Sequence, residues 1–143
     1  MKFSKNQKIS IVAGGAAILY YLFYSKSGNA KTDKTFTAEA EQLQLETPGT
    51  YMPANYLAFA DKLESAMFDA GTDEDSIYSV FKKLKSNTDF AKLFAAFGKR
   101  AKYNFGWSQG NWNLIQWLQD ELSETEQDEV NKILSAANIT YRI

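Results

Sequence analysis

The sequence predicts an all-α protein in three parts: a transmembrane helix near the N-terminus, a polar linker, and a compact five-helix domain. Three observations carry this. Residues 9–25 form an uncharged run between Lys8 and Lys26. From Tyr51 onward, apolar residues recur at three- and four-residue steps, the spacing of a buried helix face. No convincing strand-like alternation interrupts them.

The uncharged run holds Ile9, Ile11, Val12, Ile18, Leu19, Leu22 and Phe23. Its 17 residues rise roughly 25 Å as a helix, against about 30 Å of hydrocarbon. Lys8 and Lys26 cover the difference by extending their aliphatic stems and leaving their ammonium groups at the interfaces. Tyr20, Tyr21, Phe23 and Tyr24 crowd one end, as interfacial aromatics do. A cleaved secretory signal is the rival reading. Lys2, Lys5 and Lys8 supply a basic start, and Gly28-Asn29-Ala30 resembles a small-x-small cleavage site. Against it, the apolar run is long for a signal core and ends in tyrosines. Gly14, Gly15, Ala16 and Ala17 leave two readings open. They are either a close-approach patch that would make a homo-oligomer or the small-residue background of a membrane helix.

Residues 26–50 read as a linker, polar at first, with a weak helical stretch from Thr37 to Leu45 and a break at Pro48-Gly49. Residues 1–25 are then a basic stub with the anchor, and residues 51–143 the globular domain. The chain has no cysteine and no histidine. That removes disulfides, thiol nucleophiles, Cys/His zinc sites and imidazole catalysis together. Residues 51–143 carry ten basic and thirteen acidic side chains, a balance that argues against nucleic acid as a partner.

The helices follow in order. Pro53 suits a helix start, and Tyr56, Phe59, Ala60, Leu63, Ala66 and Met67 make its inner face, with Gly71 as a stop. Thr72 is a candidate N-cap for the second helix. Asp73, Glu74 and Asp75 complement the dipole of its first turn, and Ile77, Val80, Phe81 and Leu84 line its face. Ser86 or Thr88 caps a third helix bearing Phe90, Leu93, Phe94 and Phe97, with Gly98 at its end. Residues 99–110 read as a long connection rich in aromatics and glycine. Asn111 is a candidate cap for a fourth helix with Leu114, Ile115, Trp117, Leu118 and Leu122. Ser123 with Glu126 forms a capping-box signature for a fifth, with Val130, Ile133, Leu134 and Ala137 inside and Asn138 as its stop.

No Gly-rich phosphate loop, serine elbow or metal-ligand spacing is present, so no residue is assigned as catalytic or cofactor-binding. Asp120 and Glu121 are adjacent, about 100° apart on a helix, and would not flank one bond. The candidate interaction loop is Lys99, Arg100, Lys102, Tyr103, Phe105 and Trp107, where cations and aromatics interleave. Two outcomes are open. The loop docks onto lipid headgroups, a glycan or an acidic partner, or its rings fold back over the core while the cations stay in water.

The stretch Ala66-Met67-Phe68-Asp69-Ala70-Gly71-Thr72-Asp73-Glu74-Asp75 resembles the signature of an annexin repeat. In that family a helix ends in Ala-Met, and a Gly-x-Gly-Thr-Asp-Glu loop leads into the next. Asp120-Glu121-Leu122-Ser123 resembles the acid-Leu-Ser/Thr end of such a repeat's fourth helix. The resemblance spans about residues 56–137. Asp69 stands where the first loop glycine is expected, and one repeat is present where annexins carry four. What the resemblance implies is a five-helix unit that binds calcium through the carbonyls of Met67, Asp69 and Gly71 and the carboxylate of Glu121. The residues themselves imply no cofactor, and calcium enters only as what the resemblance implies.

The functional expectation is a non-enzymatic, single-pass membrane protein of structural or interaction type. Its partners are the lipid bilayer and neighbouring protein subunits, in a cell or virion membrane. A membrane-containing phage virion is a setting that suits such a plan. The alternatives are an annexin-like calcium-dependent membrane module and an anchored enzyme acting on an envelope polymer through Glu121.

Overall fold

The computed structural model describes residues 47–68 and 71–143. The anchor residues Lys8, Ile9, Ile18, Leu19, Tyr20, Tyr21, Leu22, Phe23, Tyr24 and Lys26, and the ligand candidate Asp69, lie outside the described residues. Five helices and one two-stranded antiparallel sheet are present among those described: α1 (Pro53–Met67), α2 (Glu74–Phe81), α3 (Asn87–Phe97), β1 (Arg100–Asn104), β2 (Trp107–Trp112), α4 (Leu114–Glu121) and α5 (Glu124–Ala136). No helix among the described residues is long and apolar enough to cross a membrane.

α1 begins on Pro53, whose missing N–H costs nothing at the first helical position. It buries Tyr56, Ala60, Leu63, Ala66 and Met67, the face expected from their spacing. α1 packs against α2 and α3, and α2 packs against α5. The second cap is Asp73 rather than Thr72. The Asp73 carboxylate accepts from the Ser76 N–H at 3.0 Å, while Thr72 turns its hydroxyl toward Glu121. α2 ends at Phe81 in a tightened turn, where the N–H groups of Lys83 and Leu84 donate to the carbonyls of Val80 and Phe81. Leu84 is still buried, just past the helix instead of within it. Ser86 caps α3 by accepting from the Asp89 N–H at 3.2 Å.

The main difference from the sequence reading is at residues 99–110. The expected connection is a β-hairpin, and Asn111, the expected cap, is a strand residue paired with Ala101. The cap of α4 is Asn113 instead. Its side chain accepts from the Gln116 N–H at 3.0 Å, and the Gln116 side chain accepts from the Asn113 N–H at 2.9 Å. α5 opens as expected, with the Glu126 carboxylate accepting from the Ser123 N–H and hydroxyl at 2.7 Å. It closes on Asn138 at φ 56. The N–H of Asn138 donates to the Ser135 carbonyl and that of Ile139 to the Leu134 carbonyl, the paired bonds of a Schellman stop.

The core gathers Phe81, Phe90, Leu93, Phe94, Phe97, Leu114, Trp117, Leu118, Val130 and Leu134 with the α1 face. The chain past the last helix also enters it. Ile139 and Tyr141 are buried, and the Tyr141 ring stacks on Phe90 at 4.5 Å between centroids. The Asn87 side chain accepts from the Thr140 N–H, and that of Asn131 from the Ile143 N–H, each at 2.9 Å. The five residues past Asn138 thus close one side of the domain.

A second tie is set by Asp89, which is fully buried. It accepts from the Thr50 N–H at 2.8 Å, the Thr50 hydroxyl at 2.7 Å, the Tyr56 hydroxyl at 2.6 Å and the Lys85 N–H at 2.8 Å. The chain is therefore bound to the domain from Thr50 onward. Gly49 passes so close that a Cβ there would stand 2.2 Å from the Tyr56 hydroxyl, so no larger residue fits without displacement.

Candidate interaction surface

The hairpin joins β1 to β2 through Phe105 and Gly106, with Asn104 paired to Trp107. Both connecting residues have positive φ, 49° and 82°, as a type I′ turn requires. Glycine enters that region without penalty. A phenylalanine there is a strained choice, since Asn, Asp or Gly would meet the turn better. A register irregularity between Lys102 and Tyr103 marks a bulge. Its backbone is partnered locally: the Gly110 N–H donates to the Ser108 hydroxyl at 3.3 Å, and the Trp112 indole N–H to the Gln109 carbonyl at 2.9 Å.

The base of the hairpin is tied down by its cations. Arg100 pairs with Asp61 at 2.9 Å and with Glu64. Its Nε–H donates to the Phe97 carbonyl at 3.0 Å, and its guanidinium lies over the Phe97 ring. Asp61 and Glu64 share one face of α1, three residues apart. Lys102 is buried. Its ammonium pairs with Glu121 and with Asp120 at 3.3 Å and sits over the Trp117 ring. The Trp117 indole N–H donates to the Arg100 carbonyl at 3.4 Å.

The loop, whose cations both readings leave outward, separates its cations from its rings. Lys102 is buried and Arg100 half-buried, because carboxylates on α1 and α4 and two aromatic faces engage them. The rings go the other way. Phe105 is 97% exposed, Trp107 77% and Tyr103 50%. They do not fold back over the core. Lys99 is the exposed cation of the group. From 103 to 119 the sequence has no charged residue, so the projecting tip is uncharged. Rings of this kind each bring about 150–250 Å² to a contact. At about 25 cal/mol/Å², covering them is worth several kcal/mol.

The other predicted residues are placed as follows. Met67 ends α1 and is buried. Gly71 is exposed at φ 110. Glu121 does come to the loop, since the Thr72 hydroxyl donates to its Oε2 at 3.1 Å. The other carboxylate oxygen is taken by the Lys102 ammonium, so a cation arriving there would meet a lysine already in place. Among the described residues no group of three or more acidic side chains is arranged to hold a metal ion. Trp117 belongs to the core, and Trp112 packs partly buried against it.

Asp89 and Glu126 are among the carboxylates whose altered acidity serves the fold. Burial alone would raise the Asp89 carboxyl, but the hydrogen bonds from Tyr56, Thr50 and Lys85 outweigh it and hold it below the ordinary value. The same pair drives Tyr56 up to about 12, through burial and then its bond to Asp89. Glu126 is lowered by the Ser123 hydroxyl and N–H it accepts.

No family model matches the chain, and neither a curated protein nor a solved structure matches it.

Proposed function

We propose that this protein is a non-enzymatic, single-pass membrane protein that holds a small helical interaction module at a bilayer. Residues 9–25 are the anchor, residues 26–50 the tether, and the helical domain the part presented. The observation that carries this reading is the exposed aromatic tip of the hairpin, held on a base locked by Arg100 and Lys102. A rigid base under an uncharged apolar tip suits contact with another surface. The ionic groups around it support the same reading. Arg100 is engaged with Asp61 and Glu64, and Lys102 with Glu121, an arrangement that stabilises a scaffold.

The test is flotation. The full chain is mixed with phosphatidylcholine vesicles during refolding from detergent, washed at alkaline pH, and spun through a density gradient. The expected result is that the chain floats with the vesicles and that a variant lacking residues 1–25 does not. A full chain left at the bottom of the gradient would overturn the reading.

A further inference from the structure

We infer that the hairpin tip formed by Tyr103, Phe105 and Trp107 enters the interfacial layer of the bilayer that holds residues 9–25, giving the domain a second membrane contact. This rests on the anchored reading above, and it commits the tip to lipid over a protein pocket.

The first ground is charge. The tip and the sequence after it carry none from 103 to 119, and its neighbouring polar groups are the neutral Asn104, Ser108 and Gln109. Entry into the headgroup layer desolvates no ion. Arg100 and Lys102 on β1 are bound to carboxylates, and the exposed Lys99 precedes the hairpin, so the tip itself carries no charge for an acidic peptide or a phosphate.

The second ground is the kind of side chain. Tyrosine and tryptophan place an apolar ring and a polar handle together, which is what the membrane–water interface rewards. Phe105 at the very tip is the apolar one, with Tyr103 and Trp107 behind it. The strand pairing of 103 with 108 and of 104 with 107 lets the hairpin's backbone partner itself as water thins out.

The third ground is geometry of supply. The domain is tied to the anchor by residues 26–50. A chain of that length extends at most about 80–90 Å, so the bilayer is always within the domain's reach. Contact then needs only a weak intrinsic affinity, because the tether raises the effective concentration to the millimolar range. The strain at Phe105, φ 49, has no folding reward, and ring insertion supplies one.

Bromine quenching tests this cleanly. The chain has three tryptophans, Trp107, Trp112 and Trp117, and none lies in residues 9–25, so quenching reports the domain and not the anchor. The full chain is reconstituted in vesicles of phosphatidylcholine brominated high on the acyl chain, with ordinary phosphatidylcholine as reference and flotation checked on the same samples. The expected result is clear quenching by the brominated lipid, reduced at least twofold in Trp107→Phe, which keeps a ring at the tip and the far-ultraviolet spectrum unchanged. Equal emission in both lipids, with the chain still floating, overturns the tip contact and leaves the anchor reading standing. Quenching that Trp107→Phe does not reduce overturns it as well, since the approach then uses another face. A chain that does not float removes both readings.

Discussion

Lys102 Nζ lies 4.4 Å from the centroid of the Trp117 ring while it pairs with Glu121. This contact joins β1 to α4 and turns the one buried ammonium among the described residues into a structural pin. Removing one partner of a fully buried pair costs about 3–5 kcal/mol. The Glu121 side chain keeps 20% exposure, which lets water soften the loss. Lys102→Met is expected to destabilise the domain by about 2 kcal/mol, with Glu121→Gln in the same chain recovering part of it. Urea unfolding of the two single variants and the double variant measures the coupling. Strict additivity would show that the pair contributes nothing as a pair.

Asp89 carries the second pin. Four donors converge on its carboxylate. Asn has one acceptor oxygen and brings two donors of its own, so Asp89→Asn leaves buried donors facing an amide. The expected cost is about 3 kcal/mol, a fall in melting temperature of roughly 12–24 °C for a domain of this size. Thermal circular dichroism reads it, and Thr50→Val should reproduce only part of the loss.

The same node sets a pH window. The Asp89 carboxyl is lowered in the folded state, so its contribution is complete above its unfolded value of about 3.9 and is lost as pH falls through the folded value. Tyr56 is raised to about 12, so its contribution is complete below its unfolded value of about 10 and is lost as pH climbs from about 10 to about 12. Stability of the wild-type domain should form a plateau between these limits. In Tyr56→Phe the alkaline decline should shrink, and denaturant midpoints collected from pH 9 to 12 check it.

The C-terminal residues give a packing prediction. Tyr141 is buried against Phe90, and truncating a large buried ring costs about 3–5 kcal/mol. Tyr141→Ala should lose that much in urea unfolding, and Tyr141→Phe, which keeps the stacked ring, much less.

Much of this fold is written in local pattern. The faces of α1, α3 and α5 follow the spacing of Tyr56 to Met67, Phe90 to Phe97 and Val130 to Leu134, because a helix repeats its burial every three to four residues and has little else to satisfy. Ser123 with Glu126, and Asn138 as a stop, are equally local. The hairpin hides because its own signal conflicts. Asn104-Phe105-Gly106-Trp107 puts a phenylalanine where a type I′ turn wants Asn, Asp or Gly, and the bulge at Lys102/Tyr103 breaks the alternation. Aromatics at 103, 105 and 107 with a glycine between were the available clue. The inward turn of Arg100 and Lys102 was not legible, since their carboxylate partners stand 36 and 39 residues before Arg100 and 19 residues after Lys102. The role of Asp89 was hidden for the same reason: Thr50 and Tyr56 reach it from 39 and 33 residues away. Glu121, a metal ligand by the annexin resemblance, has its two carboxylate oxygens engaged by Lys102 and Thr72.

The central claim is that Phe105 stands at the hairpin tip for contact and not for folding, and one measurement addresses it directly. Asn tolerates the left-handed conformation far better than Phe, and the Phe105 ring touches water almost everywhere. Phe105→Asn in the full chain, melted in detergent beside the wild type, is expected to raise the thermal midpoint by about 2–8 °C, a gain of about 0.5–1 kcal/mol. A lowered midpoint would mean that the ring supports the fold, and it would contradict the account.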